Sequence, residues 1–411
     1  MPTGREVFLA IAAIPFIYYL IALFSSWRYF GQPEVMPDAS FTPPVSVLKP
    51  VKGLDKDAYE NLASFCRLDY PEYEILFCVD ADDESVLSVL AKLTANFPLC
   101  NIRVLYGSGR RATNDKVAKL ARLTNEAAYE YVVISDSDVR VRPDYLRQVV
   151  APLRDPNVGA TTCIYVPAEV NTLTDRIQTI GMMSDFYAGV LVDWQLEGIK
   201  FALGPTIATT RARLSAFGGY AALENRPADD LLVGRLIAEQ GCEVMLLRYA
   251  IETVCDYGSF RELLHKRLRW MVVMRNVRAW GHFGLIFTLG LPFALLAVAV
   301  HPTWATAGFY LGGYAVLRTA MAWAIGIHGL RQQFLWKDLP LIPVWDAVAV
   351  AIWLTSFARN TIRWRGADYY IRQGCLVPVT PAASEVPVRE LIRPPALRPR
   401  AQSARPRLSA R

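Results

Sequence analysis

Two aspartates that directly follow an apolar stretch are the residues best suited to chemistry in this sequence. Asp136 and Asp138 flank Ser137, just past the stretch from Tyr131 to Ser135. A pair with this spacing is more often a turn or a helix cap. Asp80, which ends another apolar stretch, adds a third carboxylate. Because Mg²⁺ takes one or two protein carboxylates together with phosphate oxygens, the three favour a site for a divalent cation and a nucleotide diphosphate.

A glycine-rich loop offers a second set of phosphate-binding groups. The segment 106–111 reads Tyr-Gly-Ser-Gly-Arg-Arg, and Asn114 and Lys116 follow it. The loop lacks the G-x-x-x-x-G-K-[ST] pattern, so it is not a P-loop. An ordinary solvated loop is the alternative interpretation.

Alternating strand and helix patterns place these residues on a sheet. The predicted strands are 45–48, 73–79, 102–106 and 131–135, and the predicted helices are 55–68, 85–97 and 115–128. This order predicts an α/β fold with a mostly parallel sheet, in which ligands bind beyond the carboxyl ends of the strands. Lys49, Asp80, Asp136 and Asp138 stand at those ends.

Composition excludes several classes of protein. Hydrophobic residues make up 53% of the 411 residues and charged residues 20%, so a wholly disordered chain is excluded. Residues 381–411 hold seven Arg against two Glu, which accounts for +5 of the net charge of +6. A nucleic-acid-binding surface on the folded part is therefore not expected. Seven Cys without a C-x-x-C pair argue against a zinc site or a disulfide framework and suit a reducing compartment.

Four apolar stretches predict a membrane protein. Val7 to Phe24 reads as an anchor, with a cleaved signal peptide as the alternative. Two later stretches, 283–300 and 304–327, read as crossings, and 339–357 is a less clear third. The predicted domains are an anchor (1–28), a cytoplasmic α/β domain (29–282) that carries the predicted site, a transmembrane region (283–358) and a basic, largely disordered tail (359–411). Residues 181–194 form an apolar helical set, expected in the core or at the membrane interface.

The positive-inside rule gives conflicting signals about the tail. Three full late crossings would put the Arg-rich tail outside, against that rule. Pro340 and Pro343 permit a broken or re-entrant segment that keeps the tail on the cytoplasmic side, which we favour. Arg318 and Asp346 interrupt two of the apolar stretches at matching depths, so we expect them to pair. The alternative is that Arg318 snorkels to the interface.

Six motifs in order, between Val45 and Trp270, resemble those of the ceramide glucosyltransferase family, which is family 21 of the GT-A glycosyltransferases. They are Val45-Ser-Val-Leu-Lys-Pro50, the Tyr70-Pro71 step into the strand that ends at Asp80, Asn114-x-Lys116, Asp136-Ser-Asp138, Ala228-Asp-Asp230 and Arg267-Leu-Arg-Trp270. Bacterial hopanoid-associated glycosyltransferases are similar to the same pattern. The resemblance implies a GT-A fold and transfer of a hexose, with inversion, from a UDP-sugar to a lipid hydroxyl.

The resemblance also implies roles for individual residues. By position, Lys49 and Asp80 would border the uridine, and Asn114 and Lys116 would line the nucleotide site. Asp136 and Asp138 would hold the diphosphate with Mg²⁺ or Mn²⁺. Asp230 would be the general base, and Arg269 and Trp270 would close over the diphosphate and the acceptor. Lys266 stands where the family has Gln or Arg, and a Lys offers a point charge without Arg's fork.

The acidic pair Asp229-Asp230 has two competing interpretations from the residues themselves. The pair stands at a predicted helix start, where an Asp is often only a cap. A helix N-terminus lowers the pKa of a carboxyl there, whereas a neighbouring carboxylate raises it.

The expected acceptor is ceramide or a hopanoid-like lipid, at a bacterial inner membrane. Three alternatives remain open: a hopanoid N-acetylglucosaminyl transferase, a processive polysaccharide synthase, and a nucleotide-binding scaffold or transporter with Arg318 and Asp346 in its pathway. The destination of the sugar from labelled UDP-sugar would discriminate among them.

Overall fold

A mixed eight-stranded sheet forms the centre of the computed structural model, which describes residues 2–33, 40–109, 112–254, 258–364 and 367–379. The strand order is β3-β2-β1-β4-β7-β6-β8-β5. The strands are β1 (Val45–Pro50), β2 (Tyr73–Val79), β3 (Ile102–Tyr106), β4 (Tyr131–Ser135), β5 (Val139–Arg140), β6 (Val158–Pro167), β7 (Thr206–Thr210) and β8 (Glu243–Thr253).

The first half of this sheet is parallel, as the sequence predicts. β1 pairs in parallel with β2 and with β4, and β2 pairs in parallel with β3. Three of the four strands have the predicted bounds, and β1 extends two residues further to Pro50. Helices cover both faces, so an apolar run such as Val132–Ile134 is buried throughout. The carboxyl ends of β1, β2 and β4 therefore meet at one edge.

The second half of the sheet changes direction at β7. This strand is antiparallel to both β4 and β6, whereas β6 and β8 are parallel to each other. The short strand β5 follows Asp138 and pairs antiparallel with β8. The sheet is thus mostly parallel, with a reversal beside the strand that carries the paired aspartates.

Sixteen α-helices lie within the described residues. They are α1 (Gly4–Ala12), α2 (Ile14–Phe30), α3 (Ala58–Phe65), α4 (Glu84–Asn96), α5 (Asp115–Glu126), α6 (Tyr145–Val150), α7 (Leu173–Gly181), α8 (Tyr187–Glu197), α9 (Arg211–Ser215), α10 (Asp229–Ala238), α11 (Phe260–Val277), α12 (Ala279–Gly284), α13 (Gly290–Val300), α14 (Trp304–Ala307), α15 (Gly313–Ala322) and α16 (Ile342–Ala358). A π-helical turn at Met182–Phe186 joins α7 to α8.

Two helical segments of the described chain are long and apolar enough to cross a membrane, namely Gly4–Phe30 and Leu339–Ala358. A third candidate is the pair Ala279–Thr288 and Gly290–Val300, which is bent by 53°. The Tyr19 hydroxyl donates to the Thr288 carbonyl (3.0 Å) and accepts from the Gly290 amide (2.8 Å). The bend is stable because this hydroxyl binds backbone groups that the broken helix leaves without partners.

The predicted crossing at 304–327 folds as a helical segment but is not among these candidates. It consists of α14 and α15 with π-helical turns at Gly308–Gly312 and Trp323–Gly329. Its Arg318 contacts Asp346 of α16, with 3.0 Å between Nε and Oδ2. The predicted pairing is confirmed, and both residues are buried.

The apolar set at 181–194 packs in the core. Met183, Tyr187 and Leu191 are fully buried, and α8 packs against α2. Trp194 contacts Tyr29 of α2 edge to face. Helices α7 and α8 therefore join the catalytic sheet to the N-terminal membrane helix.

The structure differs from the prediction of a largely disordered tail from residue 359 onwards. Three strands, β9 (Thr361–Trp364), β10 (Ala367–Arg372) and β11 (Cys375–Pro378), form an antiparallel sheet, which we call the C-terminal sheet. Its apolar face packs on Val272 of α11. The Leu376 amide donates to the Asn225 carbonyl (2.7 Å), so this sheet lies on the same side as the catalytic domain. Residues 380–411 lie outside the described residues.

Candidate active site

The predicted acidic residues converge at the carboxyl edge of the parallel strands. Asp136 directly follows β4, and Asp138 precedes β5, so the short turn between them presents both side chains at this edge. The first turns of α5 and α10 point at the same place and bring Lys116 and Asp229 to it. Three segments far apart in sequence thus form one charged cluster.

Lys49 supports the aspartate turn from below. Its side chain is 0% exposed, and its Nζ donates to the Asp136 carbonyl (2.8 Å) and to Ser135 Oγ (3.3 Å). The amino group also lies 3.5 Å from the centre of the Phe65 ring. Burial lowers the pKa of Lys49 to about 7. The structure therefore places Lys49 beneath the site, without surface for the predicted contact with uridine.

Asp138 carries an incompletely neutralised charge. Burial, followed by the carboxylates of Asp136 and Asp55, raises the pKa of Asp138 to about 6. The positive charges of Lys266 and Lys49 oppose this shift but do not cancel it. Asp55, which the sequence analysis missed, accepts a hydrogen bond from Ser137 Oγ at 2.5 Å. A cation would relieve the repulsion within this group.

Lys116 bridges the two acidic motifs. Its Nζ lies 2.7 Å from Asp136 Oδ1 and 3.5 Å from Asp229 Oδ2. Burial disfavours the ammonium charge, but the surrounding carboxylates, Asp136 and Asp229 foremost, raise the pKa of Lys116 above its usual value. Lys116 is therefore a permanent positive charge between Asp136 and Asp229, and its contact with a nucleotide stays a prediction.

Asp230 stands at the first turn of α10 and faces the same cluster. Burial and the adjacent Asp229 carboxylate raise the pKa of Asp230 to about 6, against the lowering effects of Lys116 and of the Leu231 amide. At Gly204, a Cβ would lie 2.9 Å from Asp230 Oδ2 and 3.6 Å from Asp136 Oδ2. Any larger residue at 204 would thus occupy the space between these two carboxylates.

Asp80 is held by a lysine that the sequence analysis did not single out. Lys119 Nζ lies 2.8 Å from Asp80 Oδ1 and 3.3 Å from Asp115 Oδ2, and donates to the Val51 carbonyl at 2.9 Å. The Lys119 side chain is 1% exposed and that of Asp80 30%. The Asp80 carboxylate is therefore fixed from the inside and open on the outside.

Asn114 has a structural position in this arrangement. Its side-chain oxygen caps α5 by accepting from the Val117 amide, and its Nδ2 donates to the Arg226 carbonyl (2.8 Å). Asn114 is fully buried. It ties the start of the helix that carries Lys116 to the segment 224–226, which leads into Asp229 and Asp230.

Helix α11 supplies the remaining predicted residues. The charge of Lys266 acts on Asp138, as its effect on the pKa of Asp138 indicates. Arg269, one turn later, lies with its guanidinium carbon 5.8 Å from the centre of the Trp364 ring in the C-terminal sheet. Trp270 is 40% exposed and contacts Phe186 edge to face. The structure thus brings the charge of Lys266 within electrostatic range of Asp138 and places Arg269 against the C-terminal sheet.

The glycine-rich loop follows β3 beside the site. Gly107 and Gly109 adopt φ values of 71° and 73°, a region that favours glycine. Arg122 Nη1 donates to the carbonyls of Tyr106 and Gly107, each at 2.5 Å. Arg110 and Arg111 lie outside the described residues.

The donor set suits a hard divalent cation completed by phosphate oxygens. Within the described ranges, no three acidic, His or Cys side chains are arranged as a ready-made metal centre. Asp136 and Asp138 offer carboxylate oxygens, and burial together with the neighbouring carboxylates of Asp136 and Asp55 raises the pKa of Asp138, so a cation there would stabilise its charged form. Mg²⁺ and Mn²⁺ prefer such ligands and accept a set completed by substrate.

Sequence signals for the missed residues are weak. Lys119 lies four residues after Asp115 on an amphipathic helix, a spacing typical of a surface ion pair. Gly204 belongs to a Gly-Pro pair, which indicates a turn but not a functional site. Only the pairing of distant strands shows that both adjoin the site.

Fold and site together define a GT-A type glycosyltransferase, and comparisons with known proteins agree. The mannosyltransferase PcManGT from Pyrobaculum calidifontis, solved in complex with GDP-Man and Mn²⁺, superimposes with a TM-score of 0.60. It is 20% identical and is matched over 86% of this chain and 98% of its own, which supports the fold.

The family model of glycosyl transferase family 21 matches residues 7–377, and the chain belongs to this family. Ceramide glucosyltransferase 1 of Caenorhabditis elegans is 22% identical over 398 residues, which cover 91% of this chain and 81% of the relative. Ceramide glucosyltransferase of Komagataella phaffii is 32% identical over 173 residues, or 39% of this chain and 34% of the relative. The protein is accordingly a membrane-associated sugar transferase.

Proposed function

We propose that this glycosyltransferase moves glucose from UDP-glucose to a hydroxyl of a ceramide-like lipid, with inversion at the anomeric carbon. The observation that carries the proposal is the approach of Asp230 to Asp136 across Gly204. A proton acceptor and a diphosphate site on either side of one small gap suit a direct displacement. The matched relatives carry the name ceramide glucosyltransferase, which supports the choice of donor and acceptor.

In this mechanism Asp230 takes the proton from the acceptor hydroxyl as its oxygen forms the bond to the anomeric carbon. The bond between that carbon and the β-phosphate oxygen breaks, and its electron pair leaves with UDP. A pKa of about 6 keeps Asp230 largely ionised at neutral pH while leaving it more basic than an exposed Asp. A single carboxylate suffices because the hydroxyl becomes acidic only as the bond forms.

The positive side chains stabilise the leaving diphosphate. Lys116 is already ionised next to Asp136, so it meets the developing charge without reorganisation. Lys266 adds a second charge from α11, as a point charge instead of the usual Gln or Arg. Asp136 and Asp138 would hold a divalent cation, which when bound neutralises part of the diphosphate charge.

The remaining residues either bind the donor or position the residues that bind it. The open oxygen of Asp80 accepts an N–H from the base, which suits the uracil of UDP. Lys49 and Asn114 act indirectly, the first through the Asp136 backbone and the second through the segment 224–226. Trp270 and Arg269 would close over the diphosphate and the acceptor, near the helices that face the membrane.

The same arrangement supports the proposed placement at a membrane. Arg275 of α11 donates to the carbonyls of Ser356 and Arg359 at the end of α16, so the helix that carries Lys266 is fixed to a membrane helix. A lipid hydroxyl at the bilayer surface can thus reach the site without leaving the membrane. We place the catalytic domain at the cytoplasmic face of a bacterial inner membrane, where UDP-sugars are made.

The test is the fate of labelled UDP-glucose in membranes that contain the full chain, supplied with ceramide. We expect label in a small, organic-soluble product that a β-glucosidase cleaves, because inversion of the α-linked donor gives a β-linkage. Membranes with Asp230→Asn serve as the control. Label in a precipitable polymer would identify a polysaccharide synthase instead. Label only in a hopanoid, or only from UDP-GlcNAc, would replace the proposed acceptor or donor.

A further inference from the structure

A tight turn carries Gly204 to the candidate active site. The Thr206 amide donates to the Leu203 carbonyl (3.2 Å), which closes the four residues before and at the start of β7 into what we call the 203–206 turn. Strand β7 pairs with β4. The turn therefore stands beside the end of the strand that Asp136 follows.

The 203–206 turn is fixed to the sheet by one buried hydroxyl. Thr162 of β6 is 0% exposed, and its Oγ1 accepts from the Leu203 amide (2.8 Å) and donates to the Thr206 carbonyl (2.8 Å). The Tyr145 hydroxyl lies 3.1 Å from Thr206 Oγ1. Because buried backbone groups are costly to leave without partners, these hydrogen bonds hold the turn in one position.

Helix α10 is also fixed against this segment, through Gly234. A Cβ at Gly234 would overlap the backbone of Phe201 and Ala202, so the helix packs directly on the residues that lead into the turn. Gly234 is four residues after Asp230, which places both residues on one face of α10. The separation between Asp230 and the 203–206 turn is therefore set by close backbone contacts.

Gly204 faces a position that lies at hydrogen-bond distance from the predicted base. A Cβ at 204 would be 2.9 Å from Asp230 Oδ2 and 3.6 Å from Asp136 Oδ2. A hydroxyl oxygen that gives its proton to a carboxylate lies about 2.6–3.2 Å from it. The position that a Cβ would take at 204 therefore suits the oxygen of an alcohol.

We infer that this position, bounded by Gly204, Asp230 and Asp136, is the subsite for the acceptor hydroxyl, and that Thr162 is the positioning residue that sets its size. Glycine at 204 keeps a side chain out of the subsite. The Thr162 hydroxyl keeps the turn from moving toward the base or away from it. The inference rests on the proposed function and adds the place where the acceptor oxygen meets the base.

The first test is Gly204→Ala in the full chain in membranes. Gly204 is not among the described glycines with positive φ, so alanine adds no backbone strain. Its methyl group would compete with the acceptor hydroxyl or displace Asp230, and misplacement of reacting groups by about 1 Å costs about 10²-fold in rate. Transfer per UDP-binding site should fall by about that factor, while the Kd for UDP stays within about twofold.

Gly189→Ala in α8 is the matched control, because a Cβ there would meet only the Tyr18 hydroxyl, at 4.0 Å. Its transfer rate should equal that of the unaltered chain. Full transfer by Gly204→Ala would overturn the inference. A loss of UDP binding that parallels the loss of transfer would also overturn it, since position 204 would then act on the donor.

The second test separates the Thr162 hydroxyl from ordinary packing. Thr162→Val keeps the shape and removes both hydrogen bonds to the turn, so kcat should fall about tenfold with the donor KM within about twofold. Thr162→Ser keeps the hydroxyl and should retain most of the rate. Thr161→Val is the matched control, because Thr161 is buried on the opposite face of β6, where its hydroxyl donates to the Val149 carbonyl (2.6 Å). Equal losses in the two valine variants would mean that Thr162 only stabilises the fold.

The double variant tests whether the two residues act together. If Thr162 holds the turn against Asp230, loss of its hydroxyl lets the turn move away from a methyl group at 204. Gly204→Ala should then cost less in the Thr162→Val background than in the unaltered chain, and fully additive losses would contradict the role of Thr162.

The two proposals fail in different ways. An unaltered chain that forms no glycolipid contradicts the proposed function, whereas a Gly204→Ala chain that transfers at the full rate contradicts only the acceptor subsite. If Gly204→Ala does not fold, the comparison of Thr162→Val with Thr161→Val decides, because equal losses there refute the positioning role of the turn.

Discussion

Two clusters of opposite charge in this molecule differ in how completely they are satisfied. In the helical region, all three guanidinium nitrogens of Arg318 donate, to both oxygens of Asp346 and to the Ser184 carbonyl. The Tyr314 hydroxyl adds a hydrogen bond to Asp346 Oδ2 at 2.7 Å. At the sheet edge, Lys116 forms ion pairs with both Asp136 and Asp229, and the Asp136 side chain remains 30% exposed.

The difference separates a structural pair from a binding site. Arg318 and Asp346 match in charge and are both 3% exposed, so nothing further can bind to them. The sheet-edge cluster has more carboxylates than cations and is open to solvent at Asp136. Burial together with the neighbouring carboxylates raises the pKa values of Asp138 and Asp230 to about 6. We therefore expect substitutions in the first cluster to affect folding and those in the second to affect turnover.

The largest effect is expected at Asp138. Asp138→Ala removes a carboxylate that suits the cation, so transfer should become undetectable, and the same loss should follow removal of divalent ions with EDTA. Folding should be unaffected because the substitution relieves charge repulsion. Initial rates and thermal unfolding in detergent test both parts. Asp69→Ala, which removes an Asp that is 76% exposed, is the control. Full activity in EDTA would contradict a metal-dependent site.

The second largest effect is expected at the buried pair Arg318–Asp346, where loss of either side chain should reduce the amount of folded protein. Arg318→Ala or Asp346→Ala leaves one buried charge without its partner, which costs about 3–5 kcal/mol. The double variant should recover part of this loss, because it removes both charges. The measurement is the amount of folded protein and its thermal unfolding midpoint. Strictly additive losses would mean that the two side chains do not stabilise each other.

Substitution of Asp230 should reduce turnover without affecting folding. Asp230→Asn keeps the size and removes the proton acceptor, so kcat should fall by about 10²-fold or more while UDP-sugar binding persists. Asp229→Asn is the matched control at the adjacent position. If that variant is inactive and Asp230→Asn is active, Asp229 is the base.

The raised pKa of Asp230 predicts the pH dependence of the unaltered chain. The base must be ionised, and its pKa is about 6, so kcat/KM should fall about tenfold per unit as pH drops below 6. Asp229→Asn removes the neighbouring negative charge that raises this pKa, and the acid limb should then move to lower pH. An unchanged limb would show that another group controls it.

The parallel half of the sheet could be predicted from sequence, whereas the parts that depend on distant pairing could not. Strand Tyr73–Val79 is an apolar run interrupted only by Glu74 and closed by turn residues, and both its bounds follow from that local pattern. The residues at the strand ends follow from the rule for parallel sheets. Asp80, Asp136 and Asp138 could therefore be placed near one another before the structure was known, whereas the expectation for Asp230 came from the family resemblance.

The C-terminal sheet has a local signal that the Arg-rich composition obscures. Residues 367–378 contain two short β-forming runs around Gln373-Gly374, which is a hairpin pattern. The Pro- and Arg-rich residues that follow led to the prediction of one uniform tail.

Lys119 was missed for another reason. A lysine on an amphipathic helix is normally exposed, and only the folded sheet reveals that this one is buried beside Asp80.

The smallest effect is expected from the hydroxyl that completes the Arg318 cluster. Tyr314→Phe removes one hydrogen bond to a charged acceptor, so stability should fall by about 1.5–3 kcal/mol, less than for loss of Arg318 itself. Tyr310→Phe is the control, because its hydroxyl donates to the neutral Leu9 carbonyl (2.6 Å) and should cost about 1 kcal/mol. In an Asp346→Asn background the stability loss caused by Tyr314→Phe should decrease toward the loss caused by Tyr310→Phe, since the acceptor at position 346 has lost its charge. Thermal unfolding of the four variants in detergent measures this. A Tyr314→Phe loss that equals the control in the unaltered chain would mean that Arg318 alone satisfies Asp346.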